Sequence, residues 1–258
     1  MNMRENMNYM KPILTVFTGF AMLMVSGMAS ATFVPFVIRG AATFSVGATE
    51  TSFVTDVGGE KVGFGSNDIN GTTLGNIAEL KIDRLDDATR FTAGSGPAVA
   101  PYLNFWITDG TNYAVVANEP SNPAFQPLYN NGYDLTFADL SDKVAKIYEI
   151  TDKSWLPNSG IGLTFADLAG FTIQAPTVLE LTTGWAGLGT GAPRELGTNV
   201  AYGVNWVFGD TLANYQSDGL GYLVGNDASV STVPLPSTAW LFGSALIALL
   251  GMARRKRT

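Results

Sequence analysis

The chain contains neither histidine nor cysteine among its 258 residues. Without histidine, zinc sites lose a principal nitrogen ligand, and Ser-His-Asp or Cys-His catalysis loses the base that activates its nucleophile. Most hydrolase mechanisms are thereby excluded. Without cysteine there are no disulfides, so stability must come from packing even in an oxidising compartment. Charge is sparse too, at 14% of residues, and it is mostly of one sign. Without Arg4, Lys11 and the four cations Arg254 to Arg257, nine basic residues remain; without Glu5, 21 acidic ones remain, a net of −12. Such a surface repels phosphate backbones and argues against a nucleic-acid partner.

What is present begins at the two ends. Lys11 precedes an apolar stretch from Ile13 to Val25, and Ala29-Ser30-Ala31 supplies the small residues of a secretory cleavage site. The expectation is a signal peptide over 1–31, cut by signal peptidase after Ala31, with Ala29 and Ala31 as the cleavage residues. An uncleaved N-terminal anchor is the alternative, although the stretch is short for a span of about 20 residues.

The other end reads Val233-Pro234-Leu235-Pro236, then an apolar run to Ala253, then Arg254-Arg255-Lys256-Arg257-Thr258. About 20 residues of helix cross a hydrocarbon core, and the cations would hold the far end on the cytoplasmic side. This proline-bracketed joint, apolar run and basic cluster resemble the PEP-CTERM sorting signal of Gram-negative bacteria. Leu235 stands where that family has glutamate; Trp240-Leu241-Phe242-Gly243-Ser244 and the basic end fit the pattern. The resemblance implies passage through the inner membrane, cutting by an exosortase, and delivery to the cell surface or extracellular matrix. A C-terminal anchor that nothing cleaves is the competing reading.

Between the ends, 32–232 suits one β domain with a sizeable core. Thr43 to Asp56 and Glu60 to Gly65 are β-branched or aromatic runs, and Ile77 to Asp83 alternates as a half-buried strand does. Tyr102 to Thr108 and Asn112 to Asn118 flank Asp109-Gly110, a strong hairpin signal. Further strands are expected over Lys146 to Ile150, Phe171 to Gln174, Val178 to Thr182, Asn199 to Phe208 and Tyr222 to Val224. The fold class expected is all-β, an antiparallel β-sandwich or jelly roll, flanked by an N-terminal signal helix and a C-terminal transmembrane helix. Thr73 to Leu80, Ala100 to Asn104, Glu119-Pro120, Phe208 to Thr211 and Tyr222 to Val224 resemble stretches of secreted bacterial jelly-roll domains. That resemblance implies fold and location, with no defined activity.

Leu135-Thr136-Phe137-Ala138-Asp139-Leu140 recurs as Leu163-Thr164-Phe165-Ala166-Asp167-Leu168. Thr followed three residues later by Asp is a helix-start arrangement, which predicts two equivalent one-turn helices. The sharper alternative makes Asp139 and Asp167 the carboxylate pair of a glycoside hydrolase.

Ser66, Asp68 and Asn70 place oxygens at alternate positions before Gly71, like the start of an EF-hand loop. Ser66 replaces the first acidic ligand and Ile77 the bidentate glutamate, so the segment is expected at most to contribute to a calcium site shared with other loops. Asp83-Arg84-Leu85-Asp86-Asp87 is a second acidic loop, partly neutralised by its own arginine. No other cofactor is expected.

Alternation on 102–108 puts Leu103, Phe105 and Ile107 on one side and Tyr102, Asn104, Trp106 and Thr108 on the other. The second set mixes flat rings with polar groups, a composition suited to stacking on sugars. Val200, Tyr202, Val204, Trp206 and Phe208 share a face that reads as core, while Trp155 and Trp185 fall in loops. Tyr102, Trp106, Trp155 and Trp185 are therefore the candidate glycan contacts; packing is the alternative role for each. Three functions compete: a non-catalytic matrix protein associated with exopolysaccharide, a specific carbohydrate-binding module, and a carboxylate-dependent glycoside hydrolase.

Overall fold

The computed structural model describes residues 32–87, 100–119, 122–125, 127–128, 133–148, 152–182, 200–209 and 220–233. The signal-peptide residues Ala29 and Ala31, the tail from Pro234 to Thr258 and Trp185 lie outside the described residues. Among the described residues no helix is long and apolar enough to cross a membrane.

The chain is mostly antiparallel β. One sheet joins β1 (Val34–Arg39), β4 (Lys61–Ser66), β11 (Val204–Phe208), β6 (Tyr102–Thr108), β7 (Tyr113–Ala117) and β9 (Lys146–Tyr148) in that spatial order. A seventh strand, β10 (Thr172–Ile173), takes over the edge of β6 where β11 leaves it. The hand-over occurs at Trp106, whose N–H donates to the Gly203 carbonyl and whose own carbonyl accepts the Gln174 N–H, both at 2.9 Å. A second sheet has the order β12 (Tyr222–Gly225), β3 (Glu50–Val54), β2 (Thr43–Val46). A third has the order β13 (Ser229–Thr232), β5 (Ile77–Lys81), β8 (Asp134–Leu135).

The inner face of the large sheet follows the expected alternation. Leu103, Phe105 and Ile107 of β6 join Val62 and Phe64 of β4 and Val204, Trp206 and Phe208 of β11 in the main core. The smaller sheets close over it with Phe53, Leu80, Tyr222 and Val224. Phe53 stacks on Phe208 at 4.4 Å between ring centroids, and Phe208 meets Tyr222 at 5.2 Å. Among the described residues, the three hydrophobic clusters draw on positions from Phe33 to Val230, so this segment carries a hydrophobic core.

The outer face departs from expectation, because it is covered as well. Phe36, Ile38, Tyr102 and Val207 form one cluster beneath Tyr202, and Trp106, Val115 and Ala117 form another beneath Tyr113, Leu181 and Ala201. Glycines in β4 make the first of these fit. A Cβ on Gly63 would stand 2.6 Å from the Phe36 ring, and one on Gly65 would stand 2.6 Å from the Tyr202 ring. The two rings lie 4.9 Å apart over the strand backbone. The face expected to be uniform on 200–208 is therefore split: Tyr202 packs on the outer side, Val200 is exposed, and the strand begins only at Val204.

Two further local differences have visible causes. Val178–Thr182, β-branched enough to suggest a strand, is a short helix, α2. Its Thr177 N–H and hydroxyl both donate to the Glu180 carboxylate (2.6 and 2.9 Å), and Glu180 N–H returns a bond to Thr177 Oγ1 at 3.3 Å. That reciprocal capping box outweighs a weak strand propensity. Thr43 to Asp56 is two strands, because the chain reverses at Gly47 and closes the hairpin with Gly47 N–H on the Glu50 carbonyl.

Candidate functional site

The repeated segments come together. In the first copy, Thr136 caps α1 (Phe137–Ser141), its N–H and hydroxyl donating to Asp139 Oδ2 at 2.7 and 2.8 Å. In the second, Thr164 makes the same two bonds to Asp167, both 2.8 Å. The expected second helix is instead a run of turns. Its own bonds reach only three residues back, Leu168 N–H to the Phe165 carbonyl and Ala169 N–H to the Ala166 carbonyl. Phe165 N–H donates to the Lys143 carbonyl and Ala166 N–H to the Ser141 carbonyl, in the segment that follows the first copy. Asp167 is exposed and Asp139 half-buried, and both carboxylates are occupied in capping. The Thr164 backbone and hydroxyl bonds hold the Asp167 carboxyl below its ordinary range, the reverse of what a general acid needs.

Trp155, Phe171 and the tip of the β6–β7 hairpin lie beside this repeat. Trp155 is half-buried and packs edge-to-face on Phe171, ring centroids 5.3 Å apart. It is packed on one side and only partly exposed. Phe171 in turn lines an open groove of about 520 Å³ with Thr108, Asp109, Gly110, Gly170, Thr172 and Gln174, within the size range of small-molecule sites.

The hairpin chemistry builds one wall of this groove. Gly110 sits at φ +99°, which the Asp109-Gly110 turn requires of a residue without a side chain. Asp109 accepts the Asn112 N–H, the Thr111 N–H and the Asn112 side-chain amide at 2.8, 2.9 and 3.0 Å. The Asn112 backbone bond leads in lowering the Asp109 pKa, so the carboxylate stays ionised near neutrality. Thr108 Oγ1 donates to the Asn112 carbonyl at 2.6 Å and accepts the Gly110 N–H at 2.9 Å. The lining offers one aromatic ring, hydroxyls, an amide and one fixed anion. That combination can hold a neutral polyol; among the described lining residues there is one carboxyl group, where acid–base hydrolysis of a glycoside uses two.

Tyr102 and Trp106, read as half of a sugar-stacking face, are only 4% and 5% exposed. The reason is the second layer described above: Tyr202 and Leu181 cover the side that two-fold alternation leaves facing away from the core. Neither ring presents a free platform. The groove residues Phe171 and Gln174 carried no functional signal in the sequence, because a two-residue strand after a turn looks like any other edge.

Ser66, Asp68 and Asn70 use their side chains locally. Ser66 is buried, and its hydroxyl accepts the Asp68 N–H at 3.2 Å. Asp68 Oδ2 accepts the Thr32 N–H at 2.5 Å, and the Asn70 amide donates to Asn67 Oδ1 at 3.1 Å. Asn67 Oδ1 also receives the Gly203 N–H, tying the loop to the segment before β11. No group of three or more acidic, cysteine or histidine side chains converges among the described residues. The second acidic loop is structural: Asp86 accepts the Leu223 N–H at 3.0 Å, and Arg84 lies 4.2 Å from the centre of the Tyr133 ring.

These observations predict acid sensitivity. Carboxyls held low in the folded state stabilise it above their unfolded pKa, and that contribution is lost as pH falls through the folded value. Asp109 and Asp167 are both of this kind. Melting temperature should hold from pH 7 down to about 5 and decline below about 4. In Asp139→Asn/Asp167→Asn the loss at pH 7 should be no more than about 2 °C per site, because asparagine also caps. A melting temperature that rises on acidification would contradict the assignment.

Comparison of the chain with family models, curated proteins and solved structures finds no match in any of the three.

Proposed function

We propose that this is an exported, non-catalytic surface or extracellular-matrix protein, sorted by an exosortase and associated with exopolysaccharide. The observation that carries the reading is the order of features in 233–258: Pro234-Leu235-Pro236, an apolar run, then Arg254 to Arg257. The N-terminal signal with its Ala29 and Ala31 cleavage residues supports export by the same route. On this reading, signal peptidase and exosortase are transient partners, and the inner membrane holds the precursor. The three antiparallel sheets around one core are read as a jelly-roll-like sandwich, a scaffold suited to presenting loops.

The non-catalytic part of the proposal is supported by the capping duty of Asp139 and Asp167 and by there being one carboxylate, Asp109, among the described residues of the groove. A binding-module reading is favoured by the groove alone, where Phe171, Gln174 and Thr172 offer a ring and polar groups to a neutral saccharide. A glycan screen on residues 32–233 separates the two. General matrix association predicts weak retention that survives Gln174→Ala and Phe171→Leu, whereas a module predicts selective binding that both variants lose with folding intact. Calcium at Ser66, Asp68 and Asn70 would be a structural ligand; chelation would then lower the melting temperature of the wild type by mass action. Reducing-sugar release that disappears in Asp139→Asn/Asp167→Asn would replace both readings with a glycoside hydrolase.

A further inference from the structure

We propose that Asp68 is the docking site for the amino terminus that processing creates at Thr32. The inference rests on the export reading, in which signal peptidase cuts the Ala31–Thr32 bond. Before cleavage the Thr32 nitrogen is an ordinary amide, and it already donates to Asp68 Oδ2 at 2.5 Å. Hydrolysis adds water across that bond, leaving a carboxylate on Ala31 and an amine on Thr32 that is protonated at neutral pH. The same nitrogen, in the same place, then carries a positive charge against a carboxylate. Charge-assisted hydrogen bonds are about twice as strong as neutral ones.

The fold brings the two groups together without searching. β1 and β4 pair antiparallel with Val34 opposite Gly65 and Pro35 opposite Phe64. Continuing that register carries Thr32 past the end of β4 and into the loop that holds Asp68. Phe33, between Thr32 and the strand, packs on the core with its ring 5.3 Å from that of Phe64. The terminus is therefore anchored one residue from the pair, which limits the entropy lost in forming it. Asp68 is in turn oriented by the bond from its own N–H to Ser66 Oγ, at 3.2 Å. The loop that resembles the start of a calcium site would thus receive its cation from the chain itself. Among the described residues β1 is an edge strand of the large sheet, so the pair would also secure the end of that strand against fraying.

The test uses residues 32–233 released from a fusion so that Thr32 bears a free amine, compared with the same segment retaining Ala29-Ser30-Ala31. Each is made with Asp68 and with Asp68→Asn. The free-amine chain should melt about 2 °C above the extended one, in line with an exposed ion pair in a domain of this size. The difference should vanish in Asp68→Asn and shrink in 1 M salt. Acylation of the Thr32 amine by an amine-reactive ester at pH 7 should run several-fold slower in the Asp68 chain than in Asp68→Asn. Equal melting shifts in both backgrounds, with equal acylation rates, would overturn the pair. So would a calcium-induced rise in melting temperature that is the same whether the Thr32 amine is free or extended, because Asp68 would then serve the metal. Amino-terminal sequencing of the native protein addresses the export reading separately. A start other than Thr32 overturns that reading and the pair's biological use, even where the melting difference is seen.

Discussion

Trp206→Ala should be among the most damaging single substitutions in the domain. Trp206 has no exposed surface. It sits on β11 between Phe64 of β4 and Leu103 of β6, its cross-strand partners in the middle of the large sheet. Tyr133 meets it edge-on, with ring centroids 5.5 Å apart. Truncating a buried tryptophan removes its transfer free energy and leaves a cavity that a close-packed sheet cannot collapse to fill, at a cost of about 3–5 kcal/mol. Against a total stability of about 5–15 kcal/mol, that is a large fraction. Melting should fall by about 6–20 °C for a domain of this size. Trp206→Phe should cost much less. It keeps most of the apolar volume and removes an indole N–H that is buried with no hydrogen-bond partner among the described residues. Thermal melts of the two variants check the order. A loss below about 1 kcal/mol for Trp206→Ala would mean that β11 is not central to the core.

The second large effect concerns the tail. Changing Arg254, Arg255, Lys256 and Arg257 to serine should abolish correct processing in the native host. Those cations follow an apolar run with no charged residue, and they are what would keep its far end in the cytoplasm. Without them the run has no orientation signal, and the Pro234-Leu235-Pro236 joint should not be presented to an exosortase on the outer side. The expected outcome is an uncut species of full tail length in the membrane fraction, detected by blotting against residues 32–233. Normal surface delivery of the variant would show that the basic end is dispensable and would remove the main argument for sorting. The tail says nothing about what the β domain binds.

The sequence made the inner side of the fold legible because two-fold alternation is a strong signal wherever one face is apolar. Leu103, Phe105 and Ile107 on β6 and Val204, Trp206 and Phe208 on β11 are core residues on that ground alone. The Asp109-Gly110 hairpin was legible for a local reason, since the turn chemistry is complete within four residues. The outer side was not legible. Tyr102 and Trp106 alternate as exposed residues should, and nothing local announces that 200–203 and α2 lie across them. Burial by a distant segment leaves no periodic trace in the strand it covers. Helix α2 was hidden for a different reason: Val178 and Thr182 favour strand, and the decisive Thr177–Glu180 box acts through hydrogen bonds that propensity does not weigh. The repeat was visible, but its consequence was not. The second copy bonds the segment just after the first, Phe165 to Lys143 and Ala166 to Ser141, and it runs as three-residue turns where the first copy forms a helix. The groove at Phe171 and Gln174 depends on how β10 meets the end of β6, a tertiary fact with no motif.

Intact-mass measurement of the protein recovered from the outer surface of its native host tests the central claim most directly. The account predicts a chain that begins at Thr32 and has lost everything beyond about Pro236, including the four terminal cations. A dominant surface species that still carries Arg254 to Thr258 would contradict it.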